Sequence, residues 1–343
     1  MSLSLDLTGT WSVSSVSGPV PSDIAGKPFP ATVPGCVHLD LLASGAIENP
    51  FDGDNEAAQQ WIGDTVWRFT REFEWIPSGH DRDDLVALGL DTLASITLNG
   101  TVIGQTANQN RSYRWSIGHL LREGTNELTI EFDAPVPAAE RAARENGGSL
   151  FHVNHHPYNA IRKTASNFGW DWGIDVATSG IWKAISIESW DTVRLAEVRP
   201  LVDVAGTTGI LTAHVRLQSF GVPQTHPVTV RVSRDGALMA ETTETVRTDA
   251  SIVVAVADVD LWWPRGHGAQ PLYDVTVTVG EHSWSQSLGF RTVNINSQPD
   301  AHGNPFEIQI NGRLIHVRGA NWIPDDAFVT RVDQARLERR IAD

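Results

Sequence analysis

Between Trp67 and Trp75 every second residue except Arg71 is aromatic: Trp67, Phe69, Phe73 and Trp75 share one parity. A period of two is the signature of a strand that buries one face, so this stretch commits the first part of the chain to β-structure. The neighbouring stretches agree. Ser95 to Leu98 and Thr101 to Ile103 flank Asn99-Gly100, a strong hairpin signal, and Leu128, Ile130 and Phe132 alternate along a further strand. Residues 134 to 150 are expected to form an exposed loop with one helical turn.

From about Trp190 the runs become shorter and evenly spaced: Leu211/Ala213/Val215/Leu217, Val228/Val230/Val232, Ile252 to Val256 and Val275/Val277/Val279. Strands at this spacing, with turn residues between them, predict an immunoglobulin-like sandwich that needs no disulfide. Between them Leu261 to Tyr273 is too rich in Gly and Pro for regular structure. Near Gly289 a third pattern begins. Phe306 to Ile310, Asn311-Gly312 and Arg313 to Val317 read as another hairpin, and Arg331 to Asp343 favours helix, with Val332, Ala335 and Leu337 available for one face. A strand and the opening of a helix cannot bury their own apolar surface, so the chain is expected to be the front part of a longer protein. Residues from about 291 onward are expected to show an unpaired strand edge and bare apolar side chains.

A length of 343 residues also exceeds one ordinary domain. The expected divisions are 1–190, 191–288 and 289–343. The formal charge of −15 repels phosphate backbones and anionic lipid, and no basic run reverses it locally, so neither nucleic acid nor a membrane is an expected partner. Cys36 is the one cysteine, which fits a reducing cytoplasm. No Gly-rich nucleotide-binding motif precedes a helix, and the Gly-x-Ser-x-Gly and His-Glu-x-x-His patterns are missing, so no cofactor is expected. His152, His155 and His156 could ligate a metal, but no nearby cysteine or evident acid supports this. Loop histidines hydrogen-bonded to backbone are the simpler reading, and no metal site is expected.

The 13 tryptophans, against 3 tyrosines, need a use. Most are expected in cores, and a minority in Gly-rich loops could serve as platforms for a ring-shaped ligand. Trp170-Asp171-Trp172 lies between Gly169 and Gly173. An acid held there can accept hydrogen bonds from neighbouring hydroxyls while an indole covers a C–H face, which is the chemistry of sugar recognition. An aromatic-lined turn whose aspartate caps backbone N–H groups reads equally well. Asn321-Trp322 follows the last strand in the same style, where α/β barrels keep their sites. Asp325 and Asp326 could be catalytic acids, but capping the following helix is the plainer role.

Several motifs in this order resemble one family. They are Pro34-Gly35 with His38 and Asp40; Trp61-Ile62-Gly63 with Trp67; Arg162-Lys163 before Phe168 to Gly173; and Thr178 to Trp182. Trp262-Trp263-Pro264 with Gly266, Gly268 and Gln270 to Tyr273 comes next, then Gly289-Phe290-Arg291 and Arg318 to Pro324. The chain resembles the β-mannosidases of glycoside hydrolase family 2 over its whole length. The resemblance implies a mainly β architecture: a jelly-roll-like β-sandwich, an immunoglobulin-like sandwich, then the first strand and helix of a (β/α)8 TIM barrel that carries the chemistry. It implies retaining release of terminal non-reducing β-D-mannose from an oligosaccharide or glycan, with Trp170, Asp171, Trp172 and Asn321 binding the sugar. The two catalytic glutamates are implied beyond residue 343, so no residue is assigned as acid or nucleophile and the segment alone is expected to be inactive. β-Galactosidases and β-glucuronidases carry a histidine where this chain has Asn321 to Pro324, which argues against both. Exo-β-glucosaminidases are closer, and the Trp-Asp-Trp loop favours mannose. A non-catalytic carbohydrate-binding protein is the other functional class that these motifs leave open.

Overall fold

The computed structural model of the protein describes residues 3–301 and 303–343. Its contacts divide into two units: Leu3–Ser189 with Trp322–Asp343, and Trp190–Asn321.

In the first unit the aromatic run becomes the strand Val66–Trp75, and Trp67, Phe69, Phe73 and Trp75 are all buried as its period demands. The exception is explained by Arg71, whose Nη1 donates to the carbonyls of Leu7 at 2.6 Å and Thr8 at 2.5 Å. This strand lies inside a six-stranded antiparallel sheet ordered Phe29–Val33, Gly9–Ser17, Val66–Trp75, Gly124–Phe132, Leu93–Leu98, Thr101–Ala107. A four-stranded sheet, Leu3–Asp6, Ile185–Trp190, Arg82–Ala87 and Tyr113–Ser116, faces the same core. Phe69 meets Phe132 edge to face at 5.6 Å, an arrangement that adds about 1 kcal/mol to their burial. Asn99 and Gly100 have φ of +50° and +82°, the two positive angles of a type I′ hairpin turn.

Residues 134 to 150 depart from expectation. They contain an α-helix, Pro135–Glu145, and not a single turn. Proline at its first position leaves the helix intact, since that N–H has no intrahelical partner, and the Ala, Arg and Glu that follow are good helix formers. Val136, Ala139 and Ala143 fall on one buried face.

In the second unit the alternating runs form two sheets. Val193–Ala205, Thr208–Ser219 and Asp249–Val256 make three strands, and Ala237–Val246, His226–Arg234, Tyr273–Val279 and His282–Leu288 make four. The residues at alternate positions, Leu211 to Leu217, Val228 to Val232, Ile252 to Val256 and Val275 to Val279, line a single core. This is the immunoglobulin-like pattern of two antiparallel sheets closing on alternate side chains. Leu261 to Leu272 carries no ladder. Its Trp262 packs where a side chain at Gly289 would meet the indole at 2.6 Å, which is why Gly289-Phe290-Arg291 begins with glycine.

The hairpin near residue 310 forms as Glu307–Ile310 and Arg313–Ile315, with Val293–Asn296 as a third strand. Val293, Ile295 and Leu314 are exposed, as a bare sheet would leave them. Residues 316–324 carry no ladder, and the one α-helix after them among the described residues is the short Gln334–Ala342, so the barrel expected from the resemblance is not shown.

Candidate functional site

The Trp-Asp-Trp stretch sits at the tip of a small ribbon, Phe168–Trp170 paired with Gly173–Asp175. Gly169 has φ +79°, and a Cβ there would stand 3.2 Å from the Cβ of Asp175, so glycine both makes the bend and allows the close strand approach. The ribbon is fastened from several sides. Asn154 donates to the carbonyls of Phe168, at 3.1 Å, and Gly169. Glu56 accepts the N–H of Asp175 at 2.7 Å, and Gln60 donates to the Asp175 carbonyl at 2.9 Å. Beneath it, Phe168 is buried with Val136, Ala139 and Ala177, so the unforeseen helix forms part of the floor of this loop.

Ten of the 13 tryptophans are buried or half-buried; the exposed three are Trp170, Trp172 and Trp322. Trp170 and Trp172 each show 38% of their surface to solvent, with ring centroids 6.4 Å apart and planes tilted by 42°. Tyr158 sets its edge against Trp170 at 5.8 Å, and His152 meets Tyr158 at 6.4 Å, extending the aromatic row. Asp171 is exposed at the tip, and its carboxylate has no hydrogen-bond partner among the described residues. It therefore caps no backbone N–H, and its lone pairs are free for a ligand's hydroxyls. Asn321 is exposed in the second unit and Trp322 begins the C-terminal part of the first.

That C-terminal part is anchored behind the ribbon. Phe328 is buried against Cys36 and Val176, its ring 5.6 Å from His38 and 6.1 Å from Phe51, with the Arg331 guanidinium 4.9 Å over its face. Asn167, the residue preceding the ribbon, donates to the carbonyl of Ala327 at 3.0 Å. Asp325 and Asp326 do not cap the helix, as the sequence suggested. Asp333 does, accepting from the N–H of Arg336 at 2.8 Å. Asp326 instead takes two bonds from Arg331, at 2.9 and 2.7 Å, and one from Arg336 at 3.0 Å, while Arg340 reaches Asp325 at 2.9 Å. Three guanidinium groups committed in this way fold the segment onto itself and leave neither acid free for proton transfer.

The histidines divide in role. His152 Nδ1 is 2.8 Å from the carbonyl of Asn154, the backbone bond expected of a loop histidine. His156 Nδ1 lies 3.8 Å from Glu140, an acidic partner supplied by the unforeseen helix. No group of three or more His, Cys, Asp or Glu among the described residues is arranged for a metal ion. Burial pushes the Cys36 thiol up to about 12, which removes it as a nucleophile. Burial also pushes the Asp175 carboxyl up, with His156 drawing it back.

Lys163 and Thr178 stood in the sequence motifs without a role. Both are buried, and the Lys163 ammonium sits on Asp91; burial pulls its pKa down while that carboxylate opposes the shift. Asp91 lay outside every motif, and only the fold brings it here.

Residues 11–183 match the galactose-binding domain-like family of the glycosyl hydrolase 2 group, and residues 193–291 match glycosyl hydrolases family 2. The chain is 31% identical over 337 residues to β-mannosidase B of Emericella nidulans, covering 90% of this chain and 38% of that protein. It is 31% identical over 371 residues to the β-mannosidase of Capra hircus, covering 98% and 40%. The chain thus spans about two fifths of the length of these relatives. A crystal structure of β-D-mannosidase from Dictyoglomus thermophilum superposes with a TM-score of 0.90 at 29% identity, over 99% of this chain and 42% of that one. A β-glucuronidase from Ruminococcus gnavus shares the fold alone, with a TM-score of 0.62 at 16% identity over 93% of this chain and 49% of that one.

Proposed function

Because this chain belongs to the glycosyl hydrolases of family 2, we propose that it is the sugar-gripping part of a retaining exo-β-mannosidase. Trp170, Asp171 and Trp172 bind the terminal non-reducing β-D-mannose of an oligosaccharide or glycan, and the resemblance makes Asn321, in the irregular stretch after Ile315, a further candidate sugar ligand. The carrying observation is an exposed carboxylate with no hydrogen-bond partner among the described residues, flanked in sequence by two exposed indoles on a ribbon fixed from below. A carboxylate accepts from two vicinal hydroxyls, and an indole face covers the axial C–H bonds of a pyranose, so the pair selects by hydroxyl arrangement and ring shape.

Retention of configuration needs a general acid and a nucleophilic carboxylate about 5–5.5 Å apart. No carboxylate of this chain is assigned to either role, so the 343 residues alone bind the substrate without turning it over. The resemblance to β-mannosidases, and the stretch Asn321 to Pro324 where galactosidases and glucuronidases carry a histidine-containing sequence, support mannose over galactose or glucuronic acid.

The test is a titration of the chain with mannobiose, followed by intrinsic tryptophan fluorescence. A saturable change is expected, weakened at least tenfold by Asp171→Ala and weaker still toward galactobiose. An Asp171→Ala variant that binds as tightly as the parent would remove the proposal.

A further inference from the structure

Both ends of the Trp-Asp-Trp loop rest on one buried carboxylate. Lys163, just before the loop, donates from Nζ to Asp91 Oδ1 and Oδ2, each at 2.6 Å, and to Thr178 Oγ1 at 2.9 Å. Thr178, just after the ribbon, donates from its hydroxyl to Asp91 Oδ2 at 2.6 Å. The ammonium's three protons are all used, and Thr92 adds a bond of 2.5 Å to Asp91 Oδ1. The carboxylate is itself held, because Asp91 pairs with Gly180 across a short ladder. The side chains of Lys163 and Asp91 are 0% and 3% exposed, and the adjoining cavity of about 10 Å³, bounded by Phe328, leaves no room for bulk water to replace the ammonium.

A second buried tie repeats the pattern. Gln109 accepts the N–H of Thr164 at 2.7 Å through its side chain, and its carbonyl accepts from Trp182 Nε1 at 2.9 Å.

A buried ion pair is a poor device for stability alone, since well-packed apolar groups of the same volume often do as well or better. What this one does that an apolar contact cannot is fix direction: three short bonds set where each end of the loop leaves the sandwich. We propose that Lys163, with Asp91 and Thr178, is a positioning clamp that holds residues 164–177 in their ligand-ready conformation. The sugar then binds without first ordering the loop, which is where preorganisation raises affinity. The proposal rests on the reading of Trp170 to Trp172 as the mannoside-binding loop.

The experiment compares the parent chain with Lys163→Met and Thr178→Val, measuring amide hydrogen exchange residue by residue and mannobiose affinity. In Lys163→Met, exchange at Asn167, Asp175 and Val176 is expected to quicken at least tenfold relative to the strand Val66–Trp75, and affinity to fall at least tenfold. Thr178→Val leaves the ion pair in place and is expected to loosen residues 175–178 alone, with a several-fold loss of affinity. Should Lys163→Met fail to fold, Thr178→Val decides. Unchanged loop exchange in a folded variant, or exchange that rises equally in the loop and in Val66–Trp75, overturns the clamp. A parent chain that shows no mannobiose binding, with loop exchange still responding as stated, overturns the sugar reading and leaves the clamp standing.

Discussion

Truncating Phe328 to alanine separates the anchoring of the C-terminal segment from the stability of the sandwich it packs on. The ring is 2% exposed and touches His38 and Phe51, so its removal forfeits burial and leaves a cavity, together about 3–5 kcal/mol. What remains to hold the segment is small. The Asn167 to Ala327 hydrogen bond is worth about 1 kcal/mol and the Arg331 guanidinium, 5.5 Å over the Phe51 ring, about 0.5–1 kcal/mol, while the Asp325 and Asp326 ion pairs join residues within the segment and do not tie it down. At tenfold per about 1.4 kcal/mol, a loss of 3 kcal/mol raises the undocked population more than about a hundredfold. Hydrogen exchange reads this directly, with Arg331 and Leu337 reporting on the segment and Val66–Trp75 on the sandwich. Segment exchange is expected to rise about a hundredfold, with less than about a tenfold change in the strand. If both rise together, the segment is an integral part of the sandwich's folding unit; if neither rises, Phe328 is not the anchor. Either result refutes the reasoning.

Two further perturbations follow. Burial pushes the Asp40 carboxyl up to about 7, so its contribution to stability is intact below pH 3.8 and is lost as the pH rises through 7, an effect of up to about 4 kcal/mol. Asp40→Asn keeps the acceptor for the Thr32 N–H but leaves a buried donor unpaired, so it is expected to raise Tm at pH 8 and lower it at pH 4; a pH-independent difference contradicts this. His38 works in the opposite sense, held neutral by burial to about 3, so its cost grows as the pH falls below 6.5 in parent and variant alike. Gly289→Ala places a methyl 2.6 Å from the Trp262 indole and is expected to destabilise the immunoglobulin-like unit by about 1–3 kcal/mol. An unchanged melting transition would show that Trp262 moves aside freely.

The period-two runs and the Asn-Gly turns were legible because each is a local code: side-chain parity and two positive φ angles are written in consecutive residues. The exposed Trp170 and Trp172 were legible for a related reason, since flanking glycines and an intervening aspartate exclude a core strand. The helix Pro135–Glu145 was hidden by two prolines in its first turn and by small alanines that make a weak apolar stripe. Asp325 and Asp326 misled because an acid before a helix usually caps it, and only the fold shows Arg331, Arg336 and Arg340 converging on them. The Lys163 clamp could not be read at all, since its carboxylate lies 72 residues away in the chain.

The central claim is that the Trp170-Asp171-Trp172 tip grips a terminal β-mannoside. Its most direct measurement is the indole N–H region of an NMR spectrum during titration with mannobiose, with Trp170 and Trp172 identified by substitution. Those two signals are expected to shift in a saturable way while those of the buried Trp11 and Trp67 stay fixed. Signals from Trp170 and Trp172 that remain unmoved at saturating sugar would contradict it.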